Sequence, residues 1–286
     1  MRIDLHTHST ASDGTLAPAD LMQAARAAGL DVIALTDHDT TRGWADAAGS
    51  LPAGLSLVRG AELSCTYVAP AGDGVSMHLL AYLFDPDEPA LAAERHRVRE
   101  GRLVRGQQMV QMLRDDGVDV SWDEVLADAG GGTVGRPHIA RALLRHRCVP
   151  DLDAAFGPDW VGTRGRYWAG KVETEACTAI RLVLGAGGVP VFAHPSAGKR
   201  GRTVGDDAIA DLAGAGLAGL EVDHVDHTEA DRRHLAGLAA DLGLFTTGSS
   251  DFHGANKDTR LGAHLTDPGA YQALVAEGSG CPVVTG

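Results

Sequence analysis

The hydrophobic positions of this chain fall into two alternating kinds of segment. Compact apolar runs, such as residues 32–35, have the length and flanks of buried strands, and segments with apolar residues every three or four positions separate them. Up to residue 87 the pattern predicts four strands, at 3–5, 32–35, 55–61 and 77–83, and two helices, at 16–28 and 41–48. Strands that alternate with helices are typical of an α/β barrel.

The alternation stops in the middle of the chain and then returns. Residues 88–168 contain no convincing strand and predict helices at 88–115, 122–129 and 136–146. Beyond them the pattern predicts strands at 189–192, 219–222 and 244–247 and helices at 174–186, 206–215, 228–242 and 271–277. We therefore expect a barrel domain made of residues 1–87 and 169–286, with a helical insertion, a lid, at 88–168.

Histidines and carboxylates gather at or near the ends of the predicted strands. His6 and His8 share one face at the end of the first strand, since alternate side chains of a strand point the same way. Asp13 follows in a Ser-Asp-Gly turn, close enough to fold back over the pair. Similar residues recur along the chain at Asp37, His38, Glu62, His78, His194, Asp251 and His253.

If the barrel prediction holds, these side chains converge on one face, because barrel sites lie at the carboxyl ends of the strands. Mixed nitrogen and oxygen ligands suit Zn²⁺, Mn²⁺ or Fe²⁺. The set is too large for one ion, and it predicts two or three divalent ions per chain. For His6 and His8 alone, two surface histidines would be the alternative interpretation.

Composition restricts the partners of such a site. The chain has 286 residues and a net charge of −13, which disfavours long nucleic acid but allows a small phosphorylated substrate at a positive metal site. It has no apolar run of roughly 20 residues and no signal-peptide pattern, so we expect no membrane association. The four scattered cysteines fit free thiols in a reducing cytoplasm. A monomer or weak homo-oligomer is expected.

The order of the motifs resembles the PHP (polymerase and histidinol phosphatase) family of metal-dependent phosphoesterases. The matching segments are His6-Thr7-His8-Ser9, Thr36-Asp37-His38-Asp39, Glu62, His78, His194-Pro195 and Ser250-Asp251-Phe252-His253-Gly254. The segment at 135–140, which contains Arg136 and His138, resembles one subgroup. That subgroup converts nucleoside 3′,5′-bisphosphates to nucleoside 5′-monophosphates and trims short 5′-phosphorylated RNA. The resemblance implies a distorted seven-stranded barrel and hydrolysis by metal-activated hydroxide.

The resemblance also implies how the ligands divide among three ions. His6, His8, Glu62 and Asp251 would hold one ion, and Glu62, His78 and His194 a second. Asp13, His38 and His253 would hold the third. Catalysis would depend most directly on Asp13, His194 and Asp251. Asp37 is expected to orient a ligand rather than to bind an ion.

Substrate recognition is expected to come from cationic side chains outside the ligand set. Arg99, Arg102 and Arg105 recur at intervals of three on one helix, which suits a phosphate clamp; a solvated helix face is the alternative. Arg136 opens a helix after a glycine-rich joint, where amide groups also favour anions. The residues predicted to contact substrate are Arg99, Arg102, Arg136, His138 and His227, with Lys171 a further candidate and His227 preferred over His224.

Two other functions remain open at this point. A histidinol-phosphate phosphatase would use the same ligands, although the arginines speak against it. A non-catalytic metal-binding domain would be of a different class, and it is disfavoured because all nine ligand positions are intact. An amidohydrolase would usually carry a bridging lysine at a strand end, and the sequence offers no candidate.

Overall fold

The computed structural model describes residues 1–69, 72 and 74–286, with Arg200 described by its backbone alone. The strands are β1 (Ile3–Thr7), β2 (Val32–Leu35), β3 (Ser56–Val68), β4 (Gly74–Tyr82), β5 (Thr174–Glu175), β6 (Val189–Phe192), β7 (Gly219–Asp223), β8 (Phe245–Gly248) and β9 (Val284–Thr285). The helices are α1 (Pro18–Ala27), α2 (Trp44–Gly49), α3 (Pro89–Asp115), α4 (Trp122–Ala129), α5 (Arg136–Arg145), α6 (Leu152–Ala155), α7 (Ala176–Gly185), α8 (Asp206–Gly214), α9 (Glu229–Leu242) and α10 (Pro268–Glu277). Among the described residues, no helix has both the length and the apolar character to cross a bilayer.

Seven strands form a nearly closed barrel in the order β1-β2-β3-β4-β6-β7-β8. The two end strands meet where Thr7 pairs in parallel with Phe252 and the amide of His8 donates to the carbonyl of Phe252 at 2.9 Å. The predicted distorted α/β barrel is therefore confirmed. The short β5 and β9, which the sequence pattern did not predict, pair with β3 outside this path.

Among the described residues, no helix separates β3 from β4. β3 continues past the predicted end at residue 61 and pairs with β4 in antiparallel fashion, so β4 runs against its neighbours on both sides. It continues because Leu63, Cys65 and Tyr67 alternate as buried residues facing the outer helices. Glu62 and Ser64, on the opposite face, consequently lie within a strand rather than after one.

Two hydrophobic layers hold the barrel together. Inside it, residues such as Leu5, Ala34 and Val191 pack against one another, with Tyr82 sealing the interior by donating to the carbonyl of Leu5 at 2.8 Å. A larger layer, which includes Leu21 of α1, lies between the strands and the surrounding helices. The packed interior leaves the carboxyl ends of the strands as the place where side chains converge.

The insertion has a hydrophobic cluster of its own. Met109, Leu113, Val125, Ile139 and Leu143 are members of this cluster, which draws on helices α3, α4 and α5. The helices predicted at 88–115, 122–129 and 136–146 match α3, α4 and α5 within one residue at each end. The four-residue α6 was not predicted, since one turn is too short to show a period.

Side-chain caps set the helix starts that the periodicity placed differently. α7 begins at 176 rather than 174 because the Glu175 carboxylate accepts from the amides of Cys177 and Thr178. α10 begins at 268 rather than 271 because Asp267 caps Gly269 and Ala270 in the same way. The spacing of apolar residues alone therefore does not predict the first residue of a helix.

Candidate metal centre

The nine predicted ligands form one connected cluster at the carboxyl end of the barrel. They come from β1, β3 and β4 and from the turns after β1, β2, β6 and β8. Contacts of 3.7 Å or less between nitrogen and oxygen atoms join the whole set, namely His6, His8, Asp13, His38, Glu62, His78, His194, Asp251 and His253. The structure thus brings together residues from both ends of the chain.

Four side chains meet at the separation that a bound ion requires. The Nε2 atoms of His6 and His8 are 3.0 Å apart, and Glu62 Oε2 lies 3.2 and 3.1 Å from them. Asp251 Oδ1 lies 3.4 and 3.5 Å from the same nitrogens. Metal–ligand bonds of about 2.0–2.1 Å in a tetrahedron place the ligand atoms about 3.3 Å apart, so the spacing fits one ion.

The two oxygens of Glu62 face two different groups. Oε2 faces the pair of imidazoles from β1, while Oε1 lies 2.7 Å from His78 Nδ1 and 3.0 Å from His194 Nε2. Glu62 is buried and lies between all four rings. This arrangement fits a carboxylate that bridges two ions, as the sequence resemblance implied.

The third group is looser. Asp13 Oδ1 lies 3.5 Å from His253 Nε2, and Asp13 Oδ2 lies 3.7 Å from His38 Nε2. The turn that holds Asp13 needs glycine at position 14, because a Cβ there would lie 2.4 Å from the carbonyl oxygen of His8. His38 Nδ1 also lies 3.2 Å from Glu62 Oε2, so this ring stands between two groups.

The donor atoms themselves indicate that cations belong here. His38 Nδ1 and His78 Nδ1 are buried and lie 3.2 and 2.7 Å from the Glu62 oxygens, but neither contact has the geometry of a hydrogen bond. Buried ring nitrogens of this kind are rare unless something satisfies them. Zn²⁺, Mn²⁺ and Fe²⁺ accept imidazole nitrogens and carboxylate oxygens together as ligands. The residues present therefore fit a divalent ion of this kind.

A buried glutamate outside the predicted set accepts hydrogen bonds from two of the candidate ligands. Glu221 of β7 accepts from His6 Nδ1 at 3.0 Å and from the amide of His194 at 2.8 Å. It also accepts from the hydroxyl of Ser249. A charged residue inside an apolar strand is a signal that could have identified Glu221 from the sequence, since buried carboxylates need partners.

Asp37, which the sequence analysis expected to orient a ligand, contacts the turn that follows β1. It accepts from the amide and hydroxyl of Ser9 at 2.8 and 2.7 Å and from the hydroxyl of Ser12 at 2.6 Å. Ser12 in turn lies 3.4 Å from His8 Nδ1. Asp37 therefore braces the turn between two candidate ligands, and no described contact joins it directly to the cluster.

Burial and neighbouring charges shift the pKa values of these groups in different directions. Burial alone would raise the pKa of Glu62, but His78, His38 and His6 outweigh it and hold the pKa well below its usual range. Burial lowers the pKa of His38 and His253 well below the ordinary value, so both rings are neutral and available to a cation. Burial would also lower the pKa of His6, but Glu221, Glu62 and Asp251 raise it well above the ordinary value. A metal ion at His6 would therefore compete with a proton for the ring.

Backbone strain marks two of the nine candidate ligands. His194 and Asp251 have φ angles of 34° and 49°, in the left-handed region that favours glycine. Each follows the last residues of its strand, where the chain turns sharply across the barrel mouth. Strained conformations of non-glycine residues cluster at functional sites because the surrounding structure must impose them.

The arginine stripe of α3 faces the barrel. Arg102 Nε donates to Asp39 Oδ2 at 2.8 Å and its Nη2 to Ser64 Oγ at 2.6 Å, while Arg99 Nη1 donates to the carbonyl of Asp39 at 2.9 Å. Only 7% of Arg105 is exposed. A solvated helix face is therefore excluded for this part of the stripe, and Arg99 and Arg102 are held against Asp39, the residue after the candidate ligand His38.

The other predicted contact residues differ in what they are free to do. Arg136 Nη1 donates to the carbonyl of Val161 at 3.2 Å, and its guanidinium lies over Phe156. His138 accepts from the amide of Gly135 at 3.0 Å and so caps α5. Their roles toward substrate stay predictions.

Of the two histidines after β7, His224 is the one that reaches a candidate ligand. Both ring nitrogens of His227 are engaged, Nδ1 by the carbonyl of Val222 at 2.9 Å and Nε2 by the amide of Ser196 at 3.1 Å. His224 Nε2 lies 3.3 Å from Asp251 Oδ2. Lys257, to which the sequence analysis gave no role, donates to the same oxygen at 2.7 Å.

An α/β barrel whose mouth holds nine convergent imidazoles and carboxylates defines a metal-dependent hydrolase. A family profile for the PHP domain matches residues 4–97. A 3′,5′-nucleoside bisphosphate phosphatase of Chromobacterium violaceum is 34% identical over 271 residues, which are 93% of this chain and 92% of the relative. A 5′-3′ exoribonuclease of Haemophilus influenzae is 33% identical, over 88% of this chain and 90% of the relative.

Solved structures agree with these relatives. A protein of Bifidobacterium adolescentis described as a metal-dependent phosphoesterase has a TM-score of 0.88 and 35% identity, covering 97% of this chain and 96% of that chain. An amidohydrolase from Chromobacterium violaceum, solved with bound sulfate and no metal, has a TM-score of 0.85 and 32% identity, with 97% of each chain covered. The chain belongs to the PHP family, and it is a metal-dependent phosphoesterase.

Proposed function

We propose that this enzyme removes the 3′-phosphate of nucleoside 3′,5′-bisphosphates, giving nucleoside 5′-monophosphates, and that it also trims short 5′-phosphorylated RNA. One observation carries the proposal: Arg99 and Arg102 both donate to Asp39, the residue after the proposed ligand His38, so two guanidinium groups lie beside the proposed metal centre. Guanidinium groups bind phosphate oxygens in bidentate fashion. The relatives that bear these activities cover almost the whole chain.

We propose two or three divalent ions per chain, Mn²⁺, Zn²⁺ or Fe²⁺, held by the nine residues in the grouping that the resemblance implied. Three such ions would bring six positive charges against the three carboxylates of Asp13, Glu62 and Asp251. The centre would then be positive within an acidic chain, which favours a phosphate dianion. When bound, the ions lower the pKa of water and polarise the phosphoryl oxygens.

The protein's own groups prepare this chemistry. His6 donates its Nδ1 proton to Glu221, and His253 donates its own to the carbonyl of Asp251 at 2.8 Å, so that both Nε2 atoms point at the centre. Because the ring and carboxylate groups are buried, bulk water does not compete with them for the proposed ions. Asp13, His194 and Asp251 are the residues on which turnover would depend most directly.

The domain division and surroundings of the enzyme remain our proposals. Residues 88–168 would act as a lid that carries the phosphate-binding arginines over the barrel formed by 1–87 and 169–286. The separate hydrophobic cluster of the insertion supports this division. The free thiols of Cys65, Cys148, Cys177 and Cys281 suit the cytoplasm, and we propose a monomer or weak homo-oligomer there.

A substrate panel tests the function. Manganese-loaded protein would be given adenosine 3′,5′-bisphosphate, AMP, a short 5′-phosphorylated RNA and histidinol phosphate, with phosphate and nucleotide products separated by chromatography. We expect the bisphosphate to be hydrolysed fastest, with AMP as the product that accumulates. The panel would be repeated with zinc-loaded and iron-loaded protein. A preference for histidinol phosphate, or no turnover with any of the three metals, would overturn the proposal.

A further inference from the structure

The two oxygens of Asp251 have different surroundings. Oδ1 lies 3.4 and 3.5 Å from the Nε2 atoms of His6 and His8. Oδ2 lies 3.3 Å from Nε2 of His224 and accepts from Nζ of Lys257 at 2.7 Å. One oxygen of this buried carboxylate therefore lies among the candidate ligands, whereas the other contacts two side chains outside that set.

The hydrogen bonds of His224 determine which of its ring nitrogens is a donor. The amide of Asp226 donates to Nδ1 at 3.0 Å, so Nδ1 is an acceptor and the ring proton lies on Nε2. That proton can be donated to Oδ2 of Asp251. The His224 ring is completely buried, and turning it would leave a buried polar atom without its partner. His224 is therefore a donor with a fixed direction.

Lys257 lies on a short segment that is tied to the turn after β1. The amide of Ala255 donates to Oγ1 of Thr15 at 2.9 Å, and Nδ2 of Asn256 donates to the carbonyl of Asp13 at 2.6 Å. These bonds hold the backbone on which Lys257 stands. An anchored backbone reduces the conformational entropy that is lost when the lysine forms its contact.

The backbone of Asp251 is held as well. Asp4, which is completely buried, accepts from the amide of Ser250 at 3.0 Å and from the amide of Gly262 at 2.8 Å. Asp251 has a left-handed φ of 49°, which the surrounding structure must impose on a residue other than glycine. With the backbone held in this way, rotation of the carboxylate is the freedom that side-chain donors can still restrict.

We propose that His224 and Lys257 are positioning residues that hold Oδ2 of Asp251, so that only Oδ1 is offered to the proposed ion. This inference rests on the metal centre of the proposed function. A carboxylate can bind a cation through one oxygen or through both, and the two modes differ in coordination number. Two donors on the second oxygen favour the first mode, and groups that orient a metal ligand in this way commonly contribute to metal affinity.

The charge of Lys257 allows the positioning role to be separated from a purely electrostatic one. As a charge alone, an ammonium beside the centre repels a cation, so its removal would tighten the binding of a divalent ion. As a donor that holds a ligand, it favours binding, and its removal would weaken the affinity because the carboxylate could turn. The two roles therefore predict opposite effects of the same substitution.

Metal titrations of the full-length, metal-free protein test the proposal without turnover. His224→Leu and Lys257→Met each remove a donor, whereas His224→Gln and Lys257→Arg keep an N–H group on the side chain. In the first pair we expect the affinity for one Mn²⁺ per chain to fall by about 10–100-fold, as for other groups that orient a metal ligand. The second pair should retain most of the affinity. Competition with a chromophoric chelator gives the affinities, and mass spectrometry counts the ions.

Two exposed residues provide matched controls. Lys199→Met removes the same charge and His234→Leu the same ring, and neither residue has a described contact with a candidate ligand. Thermal denaturation of the metal-free proteins shows whether each variant is folded. The side chain of Lys257 is 31% exposed, so Lys257→Met decides the question if leucine at the buried position 224 impairs folding.

The outcomes separate failure of the positioning role from failure of the proposed function. Tighter Mn²⁺ binding in Lys257→Met would mean that the lysine acts as a charge alone, and it would overturn the inference. Affinities equal to those of the controls, or equal losses in the variants that keep a donor, would overturn it too. A wild-type protein that binds no divalent ion would instead refute the proposed metal centre itself.

Discussion

The carboxylate of Glu221 accepts a hydrogen bond from Nδ1 of His6 at 3.0 Å, although the two residues are 215 positions apart in the chain. This bond fixes the proton of His6 on Nδ1 and turns the lone pair of Nε2 toward His8 and Glu62. A metal-binding imidazole commonly depends on such a carboxylate for its orientation and basicity. Glu221 thus acts on the centre through His6.

Replacing Glu221 with Gln should weaken metal binding while the fold persists. The amide keeps the size of the side chain but carries no charge and presents an N–H₂ group to at least one of its three donors. We expect the affinity for Mn²⁺ or Zn²⁺ to fall by about 10–100-fold, measured by competition with a chromophoric chelator. Glu229→Gln, on the exposed face of α9, is the matched control. Equal affinities in the two variants would contradict the role of Glu221.

Removing a proposed ligand should abolish turnover without unfolding the protein. Asp13→Ala deletes a carboxylate that lies 3.5 Å from His253 Nε2 at the rim of the barrel, away from the hydrophobic layers. We expect kcat to fall further than the roughly 10–100-fold typical of supporting residues, with an unchanged far-ultraviolet circular dichroism spectrum. Phosphate release at a near-normal rate would remove Asp13 from the site.

Chelation should lower both activity and thermal stability, and added metal should restore both. Without a cation, Glu62 and Asp251 oppose each other across buried imidazoles, so an ion that binds only the folded state stabilises it. At a free ion concentration of 100 times Kd the gain is about 2.7 kcal/mol per site, which is readily seen in a melting curve. A melting temperature that does not change on dialysis against EDTA and readdition of Mn²⁺ would show that the cluster is not a metal site.

The insertion offers a pH test that is independent of catalysis. Glu124 accepts from the amide of Ser121, from Arg145 and from His146 at 3.2, 2.9 and 3.0 Å. Burial by itself raises the pKa of Glu124, but these partners lower it below its ordinary value. A depressed folded-state pKa contributes stability above the unfolded value of about 4.3, and this stability is lost as the pH falls through the folded-state value.

Glu124→Gln should therefore lower the free energy of unfolding by about 1 kcal/mol at pH 7 and by progressively less below pH 4. Denaturant titrations of wild type and variant over this pH range measure the difference. Glu229→Gln, which has an exposed i,i+4 partner in Arg233, should show a smaller effect throughout. A constant difference down to pH 3 would mean that the charge of Glu124 is not involved.

The strand-end ligands were predictable because two simple rules coincide at them. An apolar run defines where a strand ends, and the residue that follows, such as His194 or Asp251, is carried to one face of the barrel by the parallel topology. Glu62 was predicted to lie at the same cluster, but not within a strand, where the antiparallel β3–β4 pair places it. The alternation of buried residues in the sequence indicates that β3 is a strand, but it does not indicate which strand pairs with it.

The supporting and substrate-facing groups were harder to predict for a different reason. Glu221 lies in a strand whose apolar neighbours dominate the pattern, and its partners, His6 and Ser249, come from distant positions. His224 and His227 have similar sequence surroundings, yet only His224 reaches Asp251. Such differences depend on local turn geometry and packing. The spacing of hydrophobic residues along the sequence contains no information about either.

The pairing of Thr7 with Phe252, which closes the barrel, has a consequence for how the site assembles during folding. His6 and His8 belong to the first strand of the barrel or follow it directly, while Asp251 and His253 follow its last strand, far later in the chain. An unfinished chain therefore cannot assemble the four-residue cage of His6, His8, Glu62 and Asp251, however well its early strands have folded. The proposed ion could bind there only after the barrel has closed, so we expect hydrolysis to require the complete barrel.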